Sequence, residues 1–411
     1  FEAGDKVVEA EIKKGAEQTP EGAKYPLQAR CAQLARMGCV VFHYDMIGYA
    51  DNQPLPHRAG FGDAEAELRL QNPMGLQTFN TIRALDFLLG LPEVDPGRIG
   101  VTGASGGGTQ TFILCAIDDR PAAAFPAVMV STDMQGGCVC ENASYLRIGT
   151  GNIELAGLFA PRPLGLVAAK DWTWEISTKG LPQLKELYRM LGAEGHVAAE
   201  TFLQFGHNYN QVSREVMYNW FNQHLKLGHQ SPVKEQAFVP ISPKELSVFD
   251  TEHPRPKDSL PAAALRKVMT DLADQQLTAL APKDEKKAAE FRRLGGAALR
   301  VMITDTVPGT KAEVEVIAGS GSAPEGGAPV VYLSRTGKKE AVPVVVLSKG
   351  NQGNGRCLVV VGDAESKKYQ AFLAGGGTVL VVEPMQTGRN DDKTYLKYDS
   401  KYGGYTFDYN R

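Results

Sequence analysis

The chain has 411 residues, of which 43% are hydrophobic and 22% charged, and a formal net charge of −3. This length suits two domains, and the apolar fraction builds globular cores rather than a disordered chain. The charge leaves no basic footprint for nucleic acid or an anionic membrane surface. No apolar run reaches the ~20 residues of a membrane-spanning helix.

Residues 1–24 read as a charged, glycine-bearing loop, and Leu27–Met37 as a helix stopped by Gly38. Cys39–Tyr44 is a continuous apolar run, which predicts a buried strand. A Gly-, Pro- and Asn-rich loop runs to about Asn72, and Pro73 opens a helix to Leu89 with leucines at helical spacing. Asp95-Pro-Gly-Arg98 turns into the strand Ile99–Thr102, and Thr109–Ile117 reads as a helix. Further strands are predicted at Ala122–Val130, Pro163–Ala169 and Ala199–Gln204, and helices at Leu181–Leu191 and Ser213–Lys226, the latter capped by Ser213. Ser131–Ala160, rich in Gly, Asn and Ser, reads as an irregular insertion of the kind that covers a substrate site. Helices and strands that alternate with short connections predict a mostly parallel sheet flanked by helices.

The proline-punctuated stretch 229–258 reads as a linker, and 259–294 as charged helix. Strands are then predicted at Ala298–Thr304, Ala312–Ala318, Val330–Ser334 and Val342–Leu347, followed by Leu358–Val361, a helix near 366–374, and Thr378–Val382. Leu27-Gln-Ala…Gly38 with its apolar run to Asp45 matches Tyr369-Gln-Ala…Gly377 with its apolar run to Glu383. This internal similarity predicts a second copy of the same fold, cut short before its own nucleophile strand. The expected organisation is one domain over 1–228, a linker over 229–258 and a second domain over 259–411.

Gly103-Ala104-Ser105-Gly106-Gly107 matches G-x-S-x-G between a predicted strand and a predicted helix. A serine there sits on a sharp, strained turn, so side chains at 103 and 107 are expected to collide with neighbouring elements. The helix N-terminus behind it points its dipole at a developing oxyanion, with the Gly106 N–H as one donor. A phosphate-cradling loop is the competing reading, but the Lys-Ser/Thr pair it requires is absent.

A nucleophilic serine needs a base and an orienting acid, in chain order Ser, Asp/Glu, His for this motif. Among the histidines beyond Ser105, His196 precedes its strand, His224 lies in a helix, and His229 and His253 lie in the linker region. His207, in Phe205-Gly-His-Asn208, directly follows a predicted strand and is the expected base. Asp171 follows the preceding strand and is the expected acid, with Glu175 as the fallback.

Ser105, Asp171-Trp-Thr and Phe205-Gly-His207-Asn together resemble the acetyl xylan esterase-like branch of the α/β hydrolases. Gly137-Cys-Val-Cys-Glu-Asn142 and Tyr44-Asp-Met-Ile-Gly-Tyr49 are similar to its tandem-domain bacterial members. The resemblance covers roughly residues 20–250 and implies an α/β-hydrolase fold. It also implies hydrolysis of small-molecule or carbohydrate esters, acetyl esters above all, and a secreted or periplasmic setting. Such hydrolases place a second oxyanion donor on a loop after an early strand, and nothing upstream of Leu27 reads as that strand. A serine peptidase of the prolyl-oligopeptidase type shares the elbow and the triad order, but no blade repeat is visible. A non-catalytic binding protein on the same fold is the third reading.

Trp172, Trp174 and Glu141 are candidate substrate contacts, with Arg147 beside them. Asp45, Asp51 and Asp63 lack calcium-loop spacing and read as a solvated loop. Cys31, Cys39 and Cys115 fall in apolar patterns and read as buried thiols. Cys138-Val-Cys140 lacks two further ligands at paired spacing, so it reads as a structural thiol pair or a disulfide partner rather than a metal site. No cofactor is expected.

Overall fold

Alternate residues of neighbouring strands feed two separate cores, and this places a sheet between two layers of helices. The protein is described by a computed structural model, which covers residues 2–133, 136–147, 149–303, 314–318, 328–337, 341–348, 354–362 and 369–384. Two units are distinguished, one within Phe1–Thr304 and one within Asp305–Asp399.

The first unit opens with helices α1 (Asp5–Lys13), α2 (Pro20–Lys24), α3 (Pro26–Arg36), α4 (Ala64–Leu68) and α5 (Pro73–Leu89). It continues with strand β1 (Gly100–Ala104), helix α6 (Gly106–Ile117), β2 (Ala123–Ala127), α7 (Asn152–Gly157), β3 (Leu164–Ala169), α8 (Leu181–Met190), β4 (Val197–Phe202) and α9 (Gln211–His224). It ends with α10 (Pro243–Leu246), α11 (Ala262–Leu280) and α12 (Glu285–Ile303). The four strands lie in the order β1-β2-β3-β4, and every pair is parallel. Each crossover passes through a helix, as parallel pairing requires. Strands β2 and β3 are buried at every position, so their sequences are continuous apolar runs rather than alternating ones.

Ala124, Leu164, Leu166 and Ala168 point to the face covered by α5, α6 and α8, against Met74, Phe112, Leu184 and Tyr188. Ala123, Phe125, Val167 and Ala169 point to the other face, against Leu34 of α3 and Met217, Tyr218 and Phe221 of α9. A mostly parallel sheet sandwiched in this way, with a serine elbow directly after a strand, is an α/β-hydrolase fold. Helix α9 begins two residues earlier than the sequence predicted. Its cap is Asn210, whose side chain accepts from the Ser213 N–H at 3.0 Å, rather than Ser213 itself.

A buried ion cluster ties two distant segments to α9. The Arg214 side chain is 0% exposed and donates to Glu17 at 2.9 Å and to Glu235 at 2.6 Å. The Tyr218 hydroxyl donates to Glu235 at 2.6 Å. Removing the shared cation would leave two buried carboxylates uncompensated. Arg214→Ala is therefore expected to destabilise the first unit by about 3–5 kcal/mol, read as a lower urea midpoint at unchanged slope.

The predicted strand Cys39–Tyr44 is not a strand. Val40 is 46% exposed and Phe42 42% exposed, and the segment joins no ladder. A cavity of about 820 Å³ is lined both by this segment and by residues 99–107 along the outer edge of β1. An extended apolar run becomes a strand only where a neighbouring backbone supplies hydrogen bonds, and among the described residues none pairs with this one.

In the second unit, β5 (Val314–Ala318), β6 (Val330–Arg335) and β7 (Val342–Leu347) form an antiparallel meander. Strand β8 (Cys357–Val361), helix α13 (Gln370–Ala374) and β9 (Thr378–Val382) complete a sheet ordered β5-β6-β7-β9-β8, with β8 and β9 parallel. Thr378–Val382 is the sequence counterpart of Cys39–Tyr44. Here it is a strand with Val379 and Val381 buried, because β7 and β8 flank it on either side. The strand predicted at Ala298–Thr304 is instead the end of α12, through Ile303. Ala297, Ala298, Leu299 and Arg300 are strong helix formers, and a short apolar run reads equally as strand or buried helix. Residues 304, 312–313 and 366–368 of the predicted elements lie outside the described residues.

Candidate active site

Ser105 stands between β1 and α6 with φ 55° and ψ −121°, a conformation rare for any residue with a side chain. Its N–H donates to Ala127 O at 3.2 Å, which fixes the turn to β2. The two glycines of the motif are not equivalent. A Cβ on Gly103 would lie 2.4 Å from the Gly107 carbonyl oxygen, whereas one on Gly107 would meet nothing within 4 Å. The expected collision at 107 is therefore absent, and the restriction falls next on Gly108, whose Cβ would lie 2.8 Å from Met129 Cβ. Gly103→Ala should cost several kcal/mol, because backbone must move. Gly107→Ala should change stability by no more than about 1 kcal/mol, since alanine is the better helix former. Paired thermal denaturation checks both. Gly106 is the first residue of α6, where an N–H has no acceptor within the helix and is free to meet a developing negative charge.

Asp171 and His207 lie beyond the carboxyl ends of β3 and β4, on the same side of the sheet as Ser105. The Lys170 N–H donates to Phe205 O at 2.8 Å and ties the two loops together. His207 Nδ1 lies 2.6 Å from Asp171 Oδ2. The other carboxylate oxygen accepts from the Thr173 N–H at 2.7 Å and the Thr173 hydroxyl at 2.5 Å. The Asp171 side chain is 5% exposed and that of His207 31% exposed. Burial pushes the Asp171 carboxyl up, but the bonds from His207 and Thr173 outweigh it and hold the group below the ordinary carboxylate value. A carboxylate only accepts, so Nδ1 carries the proton and Nε2 keeps its lone pair. Among the described residues, no hydrogen bond joins the Ser105 hydroxyl to His207. Apo geometries of this kind are often loose and tighten when substrate binds.

The fallback acid Glu175 pairs with Lys179 at 2.6 Å. Trp172 packs on the His207 ring, with centroids 4.4 Å apart and planes at 36°, and its buried Nε1 has no partner among the described residues. Trp174 is 51% exposed. Glu141 is buried, and one carboxylate oxygen accepts from the Gly137 and Cys138 N–H groups at 2.8 and 3.0 Å. Burial raises its pKa. Arg147 is buried within the insertion, bonded to Asn142, Asn152 and the Glu141 carbonyl. Asp51 accepts from the Val248 N–H and Asp63 pairs with Arg266, so part of the acidic loop expected to be solvated anchors the chain beyond α9 instead. The sequence reading quoted Thr173 only within Asp171-Trp-Thr and gave it no part in holding Asp171.

Ser105, Gly106 and Glu141 line the cavity of about 820 Å³, together with His57, Cys138 and Cys140. None of the six cysteines is in a disulfide. Among the described residues, His57, Cys138 and Cys140 form a group with metal-ligand chemistry, their ligand atoms all within 4.8 Å of one another. The Cys140 thiol, donating to Cys138, holds the Cys138 thiol down at about 4, with help from His57, while its own pKa is raised.

No protein-family model and no curated protein matches the chain. Solved structures similar to it include the methylesterase BT1017, at 28% identity over 60% of this chain and 56% of that one, with TM-score 0.48. A carbohydrate esterase family 15 glucuronoyl esterase from Caldicellulosiruptor kristjansonii is 16% identical over 46% of this chain and 57% of that one, with TM-score 0.33. A glucuronoyl esterase from Sporotrichum thermophile is 20% identical over 45% of this chain and 60% of that one, with TM-score 0.33. The match thus spans little more than half the length of these proteins.

Proposed function

We propose that the first unit is a serine esterase that cleaves carboxylic esters through an acyl-enzyme. The observation that carries this reading is the 2.6 Å Asp171–His207 pair, set on the same side of one parallel sheet as a serine held at φ 55°. In this reading His207 Nε2 takes the Ser105 hydroxyl proton as the oxygen attacks the ester carbonyl. The Gly106 N–H meets the oxyanion, and the protonated imidazole gives its proton to the departing alcohol. Water, activated by the same nitrogen, then releases the acid and restores the serine. Asp171 holds the tautomer and stabilises the imidazolium. Trp172, packed on His207, limits how far the ring can swing.

Acetylated carbohydrate is the proposed substrate class, on the sequence resemblance of the segments around Tyr44–Tyr49 and Gly137–Asn142. The test compares p-nitrophenyl acetate, acetylated xylo-oligosaccharide, a methyl ester of a sugar acid and a proline-containing chromogenic peptide. Acetyl-ester turnover above that of Ser105→Ala supports the reading. Turnover of the methyl ester alone would keep the esterase and overturn the acetyl assignment. Peptide turnover alone would favour a prolyl-oligopeptidase-type reading, and no turnover by folded protein would overturn the enzyme.

A further inference from the structure

We propose that His57, Cys138 and Cys140 form a zinc site in the wall of the cavity that Ser105 lines. The argument rests on geometry and ligand chemistry, and it is independent of the esterase reading.

His57 Nε2 lies 3.5 Å from Cys138 Sγ. Zinc bonds of about 2.3 Å to sulfur and 2.0–2.1 Å to nitrogen, set at the tetrahedral angle, separate those two ligand atoms by about 3.5 Å. Cys140 Sγ belongs to the same cluster, with all three ligand atoms within 4.8 Å. The pair of sulfurs and one imidazole is a soft set that selects zinc over magnesium or calcium.

The histidine is already oriented for coordination. Its Nδ1 lies 2.8 Å from the Ile47 carbonyl oxygen, which can only accept, so Nδ1 carries a proton and Nε2 is the nitrogen turned toward the sulfurs. A backbone carbonyl on the far nitrogen is the usual outer partner of a zinc-bound histidine. The ring is also packed edge-on against Tyr49, with centroids 4.8 Å apart. Gly48, at φ 81°, lets the chain pass close by, because a Cβ there would lie 2.4 Å from the His57 backbone nitrogen. On the other side, Glu141 accepts from the Cys138 N–H and fixes the loop that carries both thiols.

His57, Cys138 and Cys140 all line the cavity shared with Ser105 and Gly106. Three protein ligands with a fourth position open to a cavity is the arrangement of catalytic rather than structural zinc. Coordination takes both sulfurs as thiolates.

The test uses the full chain reduced with a phosphine, with Zn(II) alone as the probe. Competition against a chromophoric chelator should give one zinc per chain. His57→Ala and Cys138→Ser should each weaken binding by more than the 10–100-fold that losing an outer partner costs. Cobalt in place of zinc should give a thiolate-to-metal charge-transfer band that Cys140→Ser diminishes. Should a variant fail to fold, the wild-type chain still decides. Zinc should slow alkylation of Cys138 and Cys140 at least roughly tenfold and leave the exposed Cys357 unchanged. Ser105→Ala should bind zinc as the wild type does, so failure of the esterase leaves this result standing. Stoichiometry below one with no protection of Cys138 and Cys140, or equal protection of Cys357, would overturn the site.

Discussion

Ser105→Ala is expected to lower kcat for ester hydrolysis by about a millionfold while leaving the fold in place. The side chain removed is the attacking group, and no other hydroxyl occupies the turn between β1 and α6. The backbone at 105 keeps its positive φ in either residue, so alanine relieves no strain and adds none. Thermal unfolding should shift by no more than a surface substitution would, and the loss in rate should appear in kcat rather than KM.

Asp171→Asn is expected to lower kcat by about 10⁴-fold through the tautomer of His207. Thr173 donates both its N–H and its hydroxyl to one Asp171 oxygen. In the variant those donors hold the amide oxygen, which turns the amide N–H toward His207 Nδ1. The ring proton is then forced to Nε2, where it blocks the lone pair that the serine needs. Asp171→Asn should also flatten stability in acid. Because the folded pKa is depressed, the carboxylate stabilises the fold above the ordinary carboxylate range. That contribution is lost as pH falls through the depressed value. Melting temperature against pH for both proteins reads this directly.

The elbow was legible in the sequence because a single backbone conformation imposes residue types at fixed offsets. Gly103 shows this best, with no room for a Cβ against Gly107. Asp171 and His207 were legible because parallel strands put every carboxyl end on one side, so the residues that follow β3 and β4 meet there. Cys39–Tyr44 and Thr378–Val382 carry the same pattern, yet only the second is a strand. Local pattern specifies an extended chain, and the neighbouring backbone decides whether it joins a sheet. The end of α12 failed for a related reason, since its apolar run has no period that separates helix from strand. His57 was invisible as a partner of Cys138 because 81 residues separate them. Spacing rules find ligands close in sequence, and this cluster closes only through the fold.

The central claim is that Ser105 is an activated nucleophile, and intact-mass measurement after a fluorophosphonate probe tests it most directly. A single adduct on the wild type, absent from Ser105→Ala, is the predicted result. No adduct on folded wild-type protein, or an adduct that persists in Ser105→Ala, would contradict it.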